Sequence, residues 1–264
     1  MDIGDKIVII TGGAGGIGFE ICRALLHHGA KMVAIFDLPE SNGAEKLEEL
    51  KQDFGNAHVE FYPVDISDHK DVKEKFEGVI SNYGPIDILI NNAAASNEEA
   101  LQRLVDVNVT ATLHLSLLAI THMGRHKGGK GGLIVNVNGI LGISDYPMLP
   151  CYSATKHAII GFTRCMKENF IGTGVRVVSV CPGVTRTNLI KDLPNHILDF
   201  ITDRIREKTL TEVPVQSPKS VALAVIEIIN KAEPGAVWVV EDDKEPFAIK
   251  PADHYLKMSV PIRK

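Results

Sequence analysis

Tyr152 and Lys156 are a pair of side chains that could do acid–base chemistry together. Their spacing of four residues puts them on one face of a helix, so both can reach a single site. A free phenol has a pKa of about 10 and is too weak a base at neutral pH. A neighbouring ammonium stabilises the phenolate, which would let Tyr152 accept a proton from an alcohol. The alternative is an ordinary pair on a helix surface.

A glycine-rich turn near the start of the chain is a second chemical feature. Segment 11–18 reads TGGAGGIG, follows a predicted strand and opens a predicted helix. Glycines let a backbone pass close to a pyrophosphate, and the free N–H groups of a helix start attract the anion. The alternative is a tight turn without a ligand, but the strand–turn–helix setting favours a dinucleotide site.

Asp37 directly follows the second predicted strand. In a doubly wound fold this position meets the adenosine ribose, where a carboxylate binds the 2′-hydroxyl and repels a 2′-phosphate. No Arg or Lys occurs in the glycine-rich turn or at Leu38-Pro39. The pattern therefore favours NAD over NADP, the alternative being a solvated acid at a strand end.

The elements that must position these groups alternate along the chain. Apolar runs predict strands at 6–10, 32–36, 59–64, 86–90, 132–137 and 175–180, with a late strand at 235–240 closing the sheet edge. Helical patterns lie between them, at 16–28, 42–54, 98–122 and 152–169 among others. This alternation predicts a Rossmann-type, doubly wound parallel sheet in a three-layer α/β/α domain. No linker or repeat divides residues 1–264, so we expect a single domain.

Composition narrows the function classes. The formal net charge of −5 gives no basic field for nucleic acid, and no membrane span or signal-peptide pattern is evident. The expected location is cytoplasmic. The four cysteines form no CxxC pair, which predicts reduced thiols, and neither they nor the ten histidines have the spacing of a metal site.

Taken together, the motifs resemble the short-chain dehydrogenase/reductase family. The matching segments run in the family's order: Thr11-Gly12-x-x-x-Gly16-Ile17-Gly18, Asp65-Ile66, Asn91-Asn92-Ala93-Ala94, Asn108, Tyr152-x-x-x-Lys156 and Pro182-Gly183-x-x-x-Thr187. Ala94 replaces the family's usual glycine. The interval from Ala94 to Asn108 and the segment 235–238 look like the insect alcohol dehydrogenase branch, whereas segment 152–164 looks like hydroxyprostaglandin dehydrogenases.

The resemblance implies an NAD-dependent oxidoreductase with Tyr152 as base, Lys156 on the nicotinamide ribose and Asn108 holding a water that links Lys156 to solvent. The implied cofactor contacts are Gly12, Gly16, Ile17, Gly18, Asp37, Asp65, Ile66, Asn92, Tyr152, Lys156, Gly183, Val184, Thr185 and Thr187. Family helices around Asn108 and Tyr152 pair subunits, which implies a homodimer or homotetramer.

One catalytic position departs from the family pattern. The usual serine, thirteen residues before the tyrosine, is Gly139, which has no side chain to hydrogen-bond a substrate oxygen. By analogy with loss of an oxyanion donor, this could cost roughly 10²–10³ in rate. Asn138 or Ser144 could supply the donor, the enzyme could be weak or catalyse a different reaction on a bound ligand, or the change could be an engineered or lineage-specific lesion.

Residues 187–217 correspond to the family's substrate lid, and 245–264 form a C-terminal tail. The lid carries apolar residues at roughly helical spacing, from Leu189 and Ile190 through Leu193 to Ile205, which predicts an amphipathic helix. It would also provide an apolar wall for an alcohol or carbonyl substrate. A second function class stays open: an NAD-binding isomerase, cyclase or storage protein with weak or no redox activity.

Overall fold

A computed structural model describes residues 1–55, 58–192, 196–205 and 214–250. Its strands are β1 (Ile7–Thr11), β2 (Met32–Asp37), β3 (Val59–Pro63), β4 (Ile88–Asn91), β5 (Gly132–Val137), β6 (Val175–Pro182), β7 (Val237–Val240) and β8 (Phe247–Ile249). Its helices are α1 (Gly16–His27), α2 (Gly43–Phe54), α3 (His69–Tyr83), α4 (Leu101–Met123, including a π-helical turn at Asp106–Ala111), α5 (Pro150–Thr173), α6 (Asn188–Asp192) and α7 (Pro218–Lys231).

All eight strands form one sheet in the order β3-β2-β1-β4-β5-β6-β7-β8. The pairs from β3 to β7 are parallel, and only β7–β8 is antiparallel. Strand order reverses between β1 and β4, which is the switch point where doubly wound sheets open a crevice at their carboxyl ends. The predicted Rossmann-type fold is confirmed, and the topology fixes where the site must lie.

Alternate side chains of each central strand point to opposite faces of the sheet. In β1, Val8 and Ile10 join an apolar cluster with α1, α2 and α7, whereas Ile7 and Ile9 join a second cluster with α3 and α4. Because both faces are covered, the strands read as continuous apolar runs rather than as alternating patterns. This gives the three predicted layers.

Several element predictions need correction. The late strand is not the sheet edge, because β8 pairs outside it. The helix predicted at 98–122 begins at Leu101, which leaves Glu98 in the loop after β4. Helix α7 was not predicted, although it covers one face of the sheet.

The lid prediction of one amphipathic helix is also wrong over the described residues. Helical turns occur there at Asn188–Asp192 and at 203–205, but segment 196–202 between them is irregular, although Ile197 and Ile201 are buried. Leu193 and most of the predicted tail lie outside the described residues, and Phe247–Ile249 within that tail is strand β8.

Helix α4 is long and apolar enough, by length and composition alone, to cross a bilayer. No membrane span was predicted for it from the sequence. Half of its most apolar window is buried inside the fold, and Val107, Leu115 and Ala119 pack against the sheet. In this structure α4 serves as a core helix, so its apolar character is explained by packing.

Candidate active site

A cleft of about 990 Å³ opens at the carboxyl ends of the strands. It collects most of the residues singled out from the sequence: Gly12, Gly16, Ile17, Asp37, Asp65, Ile66, Asn92, Asn138, Gly139, Tyr152, Lys156, Gly183, Val184, Thr185 and Thr187. Gly18, Asn108 and Ser144 are not among its lining residues. Residues far apart in sequence, from Gly12 to Thr187, therefore meet at the switch point.

The glycine-rich turn is held against the loop after β4. The Asn92 side-chain amide donates to the carbonyl oxygens of Thr11 and Gly12, at 3.0 and 2.9 Å. Gly12 has a φ of +66°, and a Cβ there would lie 2.8 Å from the Ala93 Cα, so only glycine fits. A Cβ at Gly18 would overlap the Gly12 carbonyl oxygen, which explains a glycine that does not itself line the cleft.

Asp37 ends β2 and faces this turn. Its carboxylate accepts hydrogen bonds from the backbone N–H groups of Ala14 and Leu38, both at 2.8 Å. Burial raises the pKa of Asp37 above its usual range, and these two hydrogen bonds partly offset the rise. The acid is thus fixed by backbone groups beside the glycine-rich turn, where the sequence predicts a ribose contact.

Asp65 is paired with an arginine that sequence reasoning missed. Arg103, on α4, lies 2.8 Å from the Asp65 carboxylate and also donates to the Ser67 hydroxyl. Burial alone would raise the pKa of Asp65, but hydrogen bonds from Ser67 and Arg103 outweigh it and the net shift is downward. Arg103 lines the cleft, and its distance in sequence from Asp65 left no local signal for the pair.

Tyr152 and Lys156 are both buried in the cleft, in the first turns of α5. The Lys156 ammonium lies 5.1 Å from the centroid of the Tyr152 ring. Burial lowers the pKa of Lys156 to about 8, with a smaller opposing effect from Cys181. Burial also raises the pKa of Tyr152, opposite to the lowering expected from a lysine neighbour. Removal from water disfavours both charged forms.

Asn108 lies in the π-helical turn of α4, behind the cleft. Its side-chain oxygen accepts from the Ala95 N–H at 2.8 Å, and its amide donates to the Ala95 carbonyl and to the Thr155 hydroxyl, at 2.9 and 3.1 Å. Thr155 in turn donates to the Tyr152 carbonyl. The Asn108 side chain thus ties the loop after β4 to the helix that carries Tyr152.

Asn138 and Ser144, the two residues expected to supply a donor in place of the missing serine, lie in different environments. The Asn138 side chain is buried and its amide donates to the Lys156 carbonyl at 3.0 Å. Ser144 is exposed. Gly139 itself has φ +131° and ψ 154°, and a Cβ added to it would lie 4.0 Å from the Pro182 carbonyl oxygen.

An apolar wall completes the cleft near Tyr152. Met148 and Leu149 line it, and Ile197 and Ile201 from the lid segment are buried in the same cluster. Tyr146, which sequence reasoning missed, also lines the cleft there, and burial raises its pKa. In the sequence, the only sign that Tyr146 lies in the cleft was its closeness to Tyr152, six residues further along the chain.

Comparison with known proteins agrees with this geometry. The model of the short chain dehydrogenase family matches residues 6–197. The chain belongs to this family. The family is described as one of dehydrogenases, and the match covers the glycine-rich turn, Tyr152 and Lys156.

Individual relatives in the short-chain dehydrogenase family fall in both branches that the motifs indicated. The 15-hydroxyprostaglandin dehydrogenase [NAD(+)] of Rattus norvegicus is 32% identical over 92% of this chain and 94% of its own length. The protein of the same name from Homo sapiens is 29% identical over 88% and 91%. Alcohol dehydrogenase 1 of Ceratitis cosyra is 29% identical over 90% and 93%.

Proposed function

We propose that this chain is an NAD-dependent oxidoreductase that interconverts an apolar or secondary alcohol and its ketone or aldehyde. The observation that carries the proposal is the burial of Tyr152 and Lys156 together in one cleft, beside an apolar wall. The relatives named for NAD and for alcohols support the same interpretation.

The chemical groups that line the cleft suit NAD. Asp37 offers an acceptor for a ribose hydroxyl, and Gly15 in the turn has open space around it, with no atom of the described residues within 4 Å of a Cβ position. Gly12, Gly16 and Ile17 would hold the pyrophosphate, Asp65 and Ile66 the adenine, and Gly183 to Thr187 the nicotinamide end. When bound, NAD supplies a hydride acceptor. The carboxylate of Asp37 would repel the extra phosphate of NADP.

Tyr152 is the proposed general base, and Lys156 the proposed electrostatic partner that also contacts the nicotinamide ribose. Oxidation requires Tyr152 in its phenolate form to take the alcohol proton, which makes it a phenol, and an ammonium beside it favours the phenolate form that does this. Asn108 would act indirectly, by holding the helix of Tyr152 in place through Thr155.

Tyr146 is the proposed second donor to the substrate oxygen. Tyr146 lines the cleft, as do Met148 and Leu149. Asn138 is a weaker candidate for this donor because its amide already donates to the Lys156 carbonyl. Ser144 is also weaker because it is exposed and is not among the residues that line the cleft.

A second candidate function is an NAD-binding protein with weak or no redox activity. The Gly139 backbone conformation favours it, since a loop built around glycine cannot easily regain the family's serine. This candidate requires normal NAD binding with negligible turnover.

Two measurements separate the candidates. Calorimetry with NAD and NADP should show tighter binding of NAD, and a panel of apolar alcohols and ketones should give hydride transfer that Tyr152→Phe abolishes. Tyr146→Phe should lower kcat/KM about 2- to 10-fold, as expected for loss of one neutral hydrogen bond. NAD binding without turnover on any panel member would favour the second candidate, and unchanged turnover in Tyr152→Phe would exclude the proposed base.

The proposed organisation is one domain over residues 1–264, with 187–217 as the substrate lid, in the cytoplasm. All four cysteines are free thiols, which suits a reducing compartment. Assembly as a homodimer or homotetramer through α4 and α5 is supported by Leu117, an exposed apolar side chain on α4.

A further inference from the structure

Glu98 is a carboxylate buried in the loop after β4, with 1% of its surface exposed. One of its oxygens accepts a hydrogen bond from the backbone N–H of Tyr152 at 2.7 Å, and the other accepts from the N–H of Cys151 at 3.0 Å. The sequence separation of more than fifty residues gave no local sign of this contact.

Helix α5 needs such an acceptor because its own start provides none. Leu149 occupies the N-cap position, where Ser, Thr, Asp or Asn usually accepts from the second or third N–H of the helix. Pro150 follows and has no N–H of its own. The N–H groups of Cys151 and Tyr152 would therefore lack a partner inside the helix. Glu98 takes the place of the missing cap from another part of the chain.

The same arrangement explains how a buried carboxylate is tolerated. A charge removed from water is costly unless it is hydrogen-bonded or faces an opposite charge. The start of a helix carries a partial positive charge, and two N–H groups point at the carboxylate. One of those groups belongs to Tyr152, so the contact fixes the backbone of the proposed base itself.

Glu98 is also tied to the substrate side of the cleft. Its backbone N–H donates to the His196 carbonyl at 3.1 Å. The following residue, Ile197, is buried in the cluster that contains Leu149 and Tyr152. The β4 loop, the first turn of α5 and the described part of the lid region therefore meet at this one residue.

We propose that Glu98 is a positioning residue that sets the place of Tyr152 by capping α5, an inference that rests on the proposed function of Tyr152. It does not touch the reacting atoms. Its loss should therefore lower the rate of hydride transfer more than it weakens the binding of NAD, most of whose proposed contacts lie elsewhere in the cleft.

The test compares Glu98→Gln with Glu99→Gln, a matched control because Glu99 is the next residue and is exposed. Glutamine keeps the volume but presents an amide NH₂ where one oxygen accepted. Glu98→Gln should lower kcat about 10- to 100-fold, with the Kd of NAD within about twofold of the parent. Glu99→Gln should match the parent. A Glu98→Gln enzyme with unchanged kcat, or one that loses NAD binding equally, would overturn the proposal.

Hydrogen exchange gives a readout that does not need turnover. In Glu98→Gln the amides of the first turn of α5 should exchange faster than in the parent, while β1 and β4 stay protected. Unchanged protection in that turn would refute the cap even if the parent showed no dehydrogenase activity, so this failure is distinct from failure of the proposed function. If Glu98→Gln does not accumulate folded, Glu98→Asp, which shortens the side chain by one methylene, should show the same changes to a smaller degree.

Discussion

The backbone at Gly139 lies in a region of φ and ψ that is nearly restricted to glycine. Space is not the obstacle there, because a Cβ would come no closer than 4.0 Å to the Pro182 oxygen. A hydroxyl could therefore enter the cleft at this position only with backbone strain. The loop between β5 and α5 is thus adapted to glycine, and the proposed redox chemistry would have to proceed without a serine there.

A comparison of Gly139→Ser with Gly139→Ala distinguishes the effect of backbone strain on stability from the effect of a hydroxyl on catalysis. Both should lower the free energy of unfolding by about 1–3 kcal/mol, the cost of a non-glycine residue in such a conformation. Urea unfolding measures that change. Since the two variants share the strain, the ratio of their kcat values reports the hydroxyl alone, and serine should exceed alanine. Equal activities would mean that the hydroxyl does not reach the substrate oxygen, and unchanged stability would mean that the loop relaxes.

At the scale of residues, the sequence predicted which side chains meet in the cleft but not the direction in which each one points. The types and spacing of Tyr152, Lys156 and Asp37 were enough to place all three in one cleft. Asn138 was predicted as a donor from its position beside Gly139, but its amide is turned to the Lys156 carbonyl. Rotamers and long-range partners such as Arg103 and Asp65 depend on packing that no local pattern encodes.

At the scale of elements, the strands were predictable because each buried strand is a short apolar run. Strand β8 was missed because it is three residues long and mostly exposed, so it has no such run. Helix α7 was missed although its buried residues, from Val221 to Ile229, recur at helical spacing. The start of α4 was predicted too early since Glu98 and Glu99 resemble a helix start, whereas Glu98 caps α5 instead.

The π-helical turn of α4 gives an element-scale prediction. Asn108→Ala removes three hydrogen bonds and leaves the Ala95 N–H and carbonyl without their partner. We expect the free energy of unfolding to fall by about 2–4 kcal/mol, because buried polar groups that lose a partner cost about 1–3 kcal/mol each. Thermal and urea unfolding measure it. Thr110→Ala, at an exposed position of the same turn, is the control and should stay within about 0.5 kcal/mol of the parent. Equal effects of the two changes would show that the turn is held by packing alone.

At the scale of the whole molecule, the site is a consequence of topology. The reversal between β1 and β4 brings the glycine-rich turn, the β4 loop and the start of α5 to one edge of the sheet. Two apolar layers cover the faces and leave that edge open. Lys156 is buried at that edge and forms no salt bridge within the described part of the chain, so its burial opposes folding. The buried Lys156 therefore lowers the stability of the molecule.

The pH dependence of stability tests this directly. The folded pKa of Lys156 is lowered to about 8 from its ordinary 10.5, so between these values the unfolded chain binds more protons than the folded one. The titration of Lys156 should therefore make the free energy of unfolding rise with pH from about 8 upward, by at most about 1.4 kcal/mol per pH unit. Below pH 8 this group should leave the free energy of unfolding unchanged. Lys156→Met should remove that rise and be more stable than the parent at pH 7, by up to about 3 kcal/mol.

The control is Lys167→Met, at an exposed lysine of the same helix, which should keep the parent's slope of unfolding free energy against pH. The measurement is urea unfolding at pH 7 to 9.5, taken as the difference between each variant and the parent so that other titrating groups cancel. Parallel curves for Lys156→Met and the parent would mean that Lys156 keeps its proton in the folded protein throughout this range, and that its ammonium is better stabilised than its burial implies.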